Sequence, residues 1–239
     1  MIPSGFIDTP LRLPIRFFAS VDYYAAMAAC RHVIIDDNAR YDKRQKSTHR
    51  MDIIDTHGIK TLTVPVSRPQ NFHGQLRWSD IAISRHGLWW HVIDETLASA
   101  YGRTPFFEFY IDRLRQFFSD STPDTFPNIA TLCRESDKAI RKILSLNTSI
   151  SYTSSNNNPT TTTQSTTQST QSTQSTDSLN TTATQSSTTL DPTVIEYYQV
   201  RRDKFGFVPH LSILDLIFNM GPESPLILHK MANTLPIPQ

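Results

Sequence analysis

Glycine is scarce, with seven residues in a chain of 239, and none falls in a phosphate-cradling pattern. There is no G-x-S-x-G, no Walker A loop and no G-x-G-x-x-G, so ATP or NAD held by those standard loops is excluded in practice. Cysteine is scarcer still. Cys30 and Cys133 have no metal-ligand spacing and make no disulfide framework, which suits a reducing compartment. An excess of one charge sign is also missing: 23 Lys and Arg stand against 22 Asp and Glu, for a net charge of +1. No global field then draws the chain to nucleic acid or to a membrane surface, and anion binding must come from a local patch. No run approaches the about 18 apolar residues a membrane span needs. At the N-terminus Asp8, Arg12, Arg16 and Asp22 interrupt the apolar residues, which argues against a signal peptide. The acceptor triplets at Asn147 and Asn180 matter only in a secreted chain. The expectation is a soluble, cytoplasmic protein.

What is abundant is polar and local. From Ser145 to Thr189 the chain is almost wholly Ser, Thr, Asn and Gln, including "TTQSTTQSTQSTQST". Such a segment has too few apolar side chains to offset the entropy of ordering it, so residues 145–190 read as a disordered linker. Residues 1–144 then form one domain, and residues 191–239 a C-terminal segment that packs back on it. Closure entropy grows only logarithmically, so a long insertion is tolerated.

Periodicity supplies the elements. "YYAAMAAC" reads as a short helix and "HVIID" as a buried strand ending at Asp36 and Asp37. "HRMDIID", the turn at His57-Gly58 and "IKTLTVPV" read as a β-hairpin, with Pro65 at a strand end. "LRWSDIAIS" reads as another short strand. Trp89, Ile93, Leu97 and Ala100 share one face of a helix, a second helix runs from Pro105 to about Phe118, and "IATLCRESDKAIRKILSL" is a third. Near the C-terminus Ser212 caps a helix apolar on nearly every side, stopped by Gly221-Pro222. The fold class is α/β in the mixed α+β sense: a small mixed sheet with a hairpin, covered by helices.

The stretch "DDNARYDKRQKSTHR", Asp36 to Arg50, holds most of the candidate chemistry. Asp36 and Asp37 at a strand end suit a general base, but adjacent acids also simply solubilise turns. Lys43, Arg44, Lys46 and Arg50 can hold a phosphate or carboxylate, Arg in bidentate fashion, or can form a solvated charged face. In an extended segment Lys43 lies on one side and Arg44, Lys46 and Arg50 on the other. Tyr41 can stack on a sugar or pack on the core. His91, with Asp94 and Glu95 three and four residues on, reads as an acid/base pair, two metal ligands or a surface ion pair. No HExxH accompanies it, and no metal site is assigned. A nucleophilic Cys30 or Cys133 would need a base and a depressed pKa.

The collinear order of these features resembles the WbqC-like protein family. It runs through Tyr23, Tyr24, Asp36, Asp37, Tyr41, Lys43, Arg50, Pro65, Trp89, His91, Tyr101, Pro105, Phe106 and Phe107. It continues in the C-terminal "YYQVRRDKFGFVPHLSILDLIFNMGPES". The resemblance covers nearly all of the chain outside the polar tract. It implies a role in O-antigen or cell-surface polysaccharide biosynthesis, as a transferase moving an aminoacyl or glycyl group to a sugar. The implied partner is a small anionic substrate, an activated sugar or acyl donor, with no nucleic acid, and no cofactor is specified. On this reading Asp36, Asp37 and His91 are the catalytic candidates, and Tyr41, Lys43, His49 and Arg50 the substrate-binding ones. The chain also departs from the family pattern. "PIRFFASVDYY" lacks the Gln-Pro pair and second Pro of many members, His49 stands where members commonly have Asn, and Ile93 where many have His. A non-catalytic binding or scaffold member of the same pathway is the alternative.

Overall fold

Parallel pairing of three short strands frames the molecule. The computed structural model describes residues 7, 9–70, 72, 74–153 and 195–234; the polar tract expected to be disordered lies outside them from residue 154 to its end. Strand β1 (Leu11–Pro14) leads into helix α1 (Val21–Ala28), and the chain returns as β2 (His32–Asp36). β2 pairs in parallel with β1, Leu11 opposite Val33 and Pro14 opposite Asp36. This is a strand-helix-strand crossover, the connection parallel strands require. Next come the hairpin strands β3 (Arg50–Asp55) and β4 (Gly58–Thr63), then β5 (Val66–Ser67) and β6 (Ala82–Ile83), each strand two residues long. The hairpin turns at Gly58, where a φ of 118° favours glycine.

Helices α2 (Trp89–Tyr101), α3 (Phe107–Leu114), α4 (Thr122–Thr125) and α5 (Ile129–Ile143) follow. The predicted face of α2 is correct, with Trp89, Ile93, Leu97 and Ala100 all buried. Asn128 caps α5 through its side chain, which accepts from the Thr131 amide. Strand β7 (Ser149–Tyr152) then completes the sheet in the order β1-β2-β7, pairing in parallel with β2. The expected polar linker, residues 145–190, thus contains a strand near its start. The strand forms there because β2 offers an unpaired edge, and Ile150 and Tyr152 pack on the core. "LRWSDIAIS" also differs from expectation: Trp78–Asp80 forms a turn of 3-10 helix, and only Ala82–Ile83 is strand. The mixed helix-and-sheet class stands, with the strands of the described residues divided among three small open sheets.

The C-terminal segment carries α6 (Arg202–Phe205), α7 (Ile213–Met220) and α8 (Ser224–Ala232). Residues 211–219 are all buried, as an all-round apolar helix requires. Both α7 and α8 pack on α1, and one continuous apolar core runs from Ile7 to Ala232. A buried polar cluster helps seat the segment. The Tyr197 hydroxyl and Gln199 Nε2 donate to Asp215 Oδ2 at 2.7 and 2.9 Å, and Asn219 Oδ1 accepts from the Val200 amide at 2.9 Å.

Candidate functional site

Three chain segments meet beside the free edge of β1, and main-chain hydrogen bonds hold them in place. The Phe17 amide donates to Thr48 O at 2.9 Å, bringing the exit of β1 against the entrance to β3. The Ser212 amide donates to Asp52 O at 2.8 Å, and the Val21 amide donates to Leu211 O at 2.9 Å. The Ser212 hydroxyl also donates to Phe18 O at 2.9 Å. Residues 210–213 are thereby wedged between the hairpin and the start of α1. The chain beyond the polar tract is part of this wall.

The groove so formed has a volume of about 720 Å³ and is lined by β1, α1, β3 and the turn at His210. Its cations are Arg12, Arg16 and Arg50. The Nε atoms of Arg16 and Arg50 are shielded from solvent and have no hydrogen-bond partner among the described residues. Neither guanidinium forms an ion pair among the described residues. A buried donor left unsatisfied costs about 1–3 kcal/mol, and such a cost is commonly kept where a ligand supplies the acceptor. The groove's two acids are already engaged. Asp22 Oδ2 accepts from His210 Nδ1 at 2.7 Å, and Asp52 Oδ1 accepts from the Thr61 hydroxyl at 2.5 Å. Burial pushes the Tyr23 hydroxyl pKa well up, with Asp137 adding to the effect, so it stays protonated. Among the described residues three non-glycine residues have positive φ, and two of them, Phe18 at 40° and His210 at 61°, line this groove. Such conformations cost about 1–3 kcal/mol each and cluster at functional sites.

Of the candidates drawn from the sequence, the groove holds Arg50 alone. Asp36 and Asp37 lie at the carboxyl end of β2, where ligands gather in open parallel sheets. Asp36 stands opposite Pro14, a groove residue. Asp37 is buried, at 1 % exposure, and its Oδ2 accepts from Arg134 Nη2 at 2.6 Å. The Thr153 hydroxyl lies 2.9 Å from Asp36 Oδ1 and 3.2 Å from Asp37 Oδ1. Tyr41 and Lys43 line a separate shallow basic pocket with Arg40, Arg44 and Arg68. Tyr41 meets the Trp78 ring edge-on at 4.8 Å, and Arg68 sits over its face. His49 turns inward: Nδ1 donates to Val64 O at 2.8 Å, and burial lowers its pKa. His91 stands apart on α2, its side chain 58 % exposed, with Nε2 3.1 Å from Glu95. Asp94 pairs instead with Arg115.

Sequence reasoning missed Arg16 as a site residue and missed the His210–Asp22 pair. No local spacing could reveal either, since Asp22 and His210 are 188 residues apart. Both cysteines are free and buried. Burial raises the Cys30 pKa to about 11 and that of Cys133 well above its ordinary value, so neither is a ready nucleophile. Among the described residues no three His, Cys, Asp or Glu side chains group so as to hold a metal ion, and no helix is long and apolar enough to cross a membrane.

The model of the WbqC-like protein family matches residues 16–227, a span that includes Arg16, Asp22, Arg50 and His210. The chain belongs to that family. No curated protein and no solved structure matches it.

Proposed function

We propose that this WbqC-like protein binds an anionic, activated small molecule in the groove between β1, α1 and β3. On this reading it is a transferase of cell-surface polysaccharide assembly, passing an acyl group of the aminoacyl or glycyl kind to a sugar. One observation carries the anion-binding core of the proposal: Arg16 and Arg50 line one groove with shielded, unpartnered Nε donors. Guanidinium forks match carboxylate and phosphate oxygens in geometry, and a partly desolvated pair binds them more strongly than a surface lysine does. Arg12 at the exposed rim adds charge that favours anion entry. The volume of about 720 Å³ suits a ligand of nucleotide-sugar or acyl-donor size. The pathway and the transfer reaction rest on the family resemblance.

A second reading, a non-catalytic binding or scaffold member of the same pathway, is favoured by one specific feature. Asp37, a candidate base, is committed to Arg134 and shielded from solvent. Both readings share the anion site and differ in whether bound ligand turns over.

Thermal-shift measurements on the purified full chain test the shared part. The panel is nucleotide sugars, acyl-CoAs, free amino acids and pyrophosphate, each also run against Arg16→Ala and Arg50→Ala. A ligand at a hundred times its Kd adds about 2.7 kcal/mol to the native state. A midpoint rise in the native chain that both variants lose is the expected result. No rise with any anion removes the proposal.

A further inference from the structure

We infer that His210, oriented by Asp22, is the proton acceptor for the hydroxyl or amine of a sugar that enters the arginine-lined groove. The inference rests on the anion-binding reading above and adds to it the group that would activate the second substrate.

The geometry is that of an oriented imidazole. A carboxylate can only accept, so the 2.7 Å contact fixes the proton on His210 Nδ1, donated to Asp22 Oδ2. In the neutral imidazole that leaves the lone pair on Nε2, which has no partner among the described residues. The pairing of a carboxylate on Nδ1 with a free Nε2 is what makes histidine an efficient base in unrelated enzymes. Asp22 is only 15 % exposed at its side chain, whereas His210 is 63 % exposed. The orienting group is thus sheltered and the imidazole is open to solvent.

The placement is not incidental to a loose loop. His210 sits at a φ of 61°, immediately before the segment pinned by Ser212 to Phe18 and Asp52. That segment also supplies the N-cap of α7, where the Ser212 hydroxyl accepts from the Leu214 amide. On the other side Val208 exchanges hydrogen bonds with the Gln199 side chain at 2.9 Å, so the backbone is held around a conformation that histidine adopts only at a cost. The other titratable groups of the groove do not compete for the role. Arg12, Arg16 and Arg50 are cations, Asp52 accepts from Thr61, and Tyr23 is buried with a raised pKa.

With an acyl phosphate as the donor class, the step balances. A hydroxyl acceptor gives its O–H proton to Nε2 as an oxygen electron pair forms the bond to the acyl carbon. An amine attacks through its own lone pair and then gives its N–H proton to Nε2. The C–O bond to phosphate breaks, its electron pair leaving on the phosphate oxygen that faces Arg16 and Arg50. Asp22 acts only as the positioning residue.

Carbethoxylation of the full chain by diethyl pyrocarbonate, read by peptide mass spectrometry, reports the Nε2 lone pair directly. The expected result is that His210 reacts readily, and that Asp22→Asn slows it measurably with the circular dichroism spectrum unchanged. Pyrophosphate should protect His210 in the native chain but not in Arg16→Ala/Arg50→Ala. An unreactive His210, or a rate indifferent to Asp22→Asn, overturns the inference. Ready reaction without pyrophosphate protection leaves the dyad standing and overturns the anion site. A second arm follows acetyl phosphate and glucosamine to acetylated sugar and free phosphate. His210→Gln should lower kcat with KM unchanged, while Arg50→Ala raises KM. Equal turnover by His210→Gln overturns the base assignment, and no turnover by the native chain overturns the acyl phosphate donor class.

Discussion

Arg134 of α5 reaches the end of β2 and donates to Asp37 Oδ2 at 2.6 Å, closing a link between the helix layer and the parallel sheet. The Asp37 side chain is wholly shielded, while Arg134 keeps 34 % of its side-chain surface exposed and lies over the Tyr152 ring at 4.9 Å. Removing the cation takes the Arg134 charge away from a buried carboxylate, a change that costs about 3–5 kcal/mol in a fully buried pair. Partial exposure of Arg134 admits water and reduces that to about 2–3 kcal/mol. Arg134→Ala should therefore destabilise clearly. Asp37→Asn, which keeps the shape and removes the charge, should cost less. Urea unfolding of the two variants checks the order, and an indistinguishable pair of midpoints would show that the ion pair is not what matters there.

The thiols give a prediction of the opposite kind, an absence of reaction. Cys133 Sγ donates to Thr48 O at 3.3 Å deep in the core, and Cys30 is wholly buried at the end of α1. Burial holds both in the neutral thiol form, Cys30 with its pKa at about 11. Ellman's reagent should find no reactive thiol in the native chain at pH 8 and both in 6 M guanidinium. Prompt reaction of one thiol without denaturant would place that cysteine nearer solvent than its surroundings allow.

The elements legible in the sequence are those whose apolar pattern is local. The hairpin over Arg50–Thr63, the buried face of α2 and the all-round apolar α7 each carry their signal within fourteen residues or fewer. β1 and β7 do not. "LRLP" is four residues long with an arginine inside it, and "SISY" sits among Ser, Thr and Asn. Both become strands because β2 offers them a partner. The site divides along the same line. Arg50 stands out in a run of basic residues, whereas Arg16 gains meaning only once the Phe17–Thr48 hydrogen bond sets its segment against β3. His210 gains its partner only when the chain returns from beyond the polar tract. Contacts set by tertiary closure leave no periodic trace.

Gly221 ends α7 at a φ of 50°, and a Cβ placed there would overlap the Phe106 ring. Alanine at this position adds left-handed backbone strain of about 1 kcal/mol to an overpacking cost of about 1–3 kcal/mol. Gly221→Ala should lose roughly 2–4 kcal/mol in chemical denaturation. The double variant Gly221→Ala/Phe106→Ala separates the two causes, because it relieves the overlap and keeps the strain. No recovery relative to Phe106→Ala alone would assign the whole loss to the backbone.

Asp215 gives the chain a pH dependence whose sign runs against the common carboxylate case. Its side chain is fully buried, and burial raises its pKa above 3.8, partly offset by hydrogen bonds from Tyr197, Tyr101, Gln199 and Asn219. The folded state therefore holds this proton more tightly than the unfolded chain does. The stabilisation is complete below the unfolded value near 3.8 and is lost as pH rises through the folded one. Asp137 shifts in the same direction, burial outweighing the pull of Arg141 at 2.8 Å. Between about pH 4 and the folded pKa of each group, both carboxyls make stability fall with rising pH. Asp215→Asn keeps an acceptor for Tyr197 and removes the titration. The variant should show a shallower decline than the native chain in urea unfolding across this range, the remaining slope belonging to Asp137. Parallel profiles for the two proteins would mean that Asp215 does not change its protonation on unfolding.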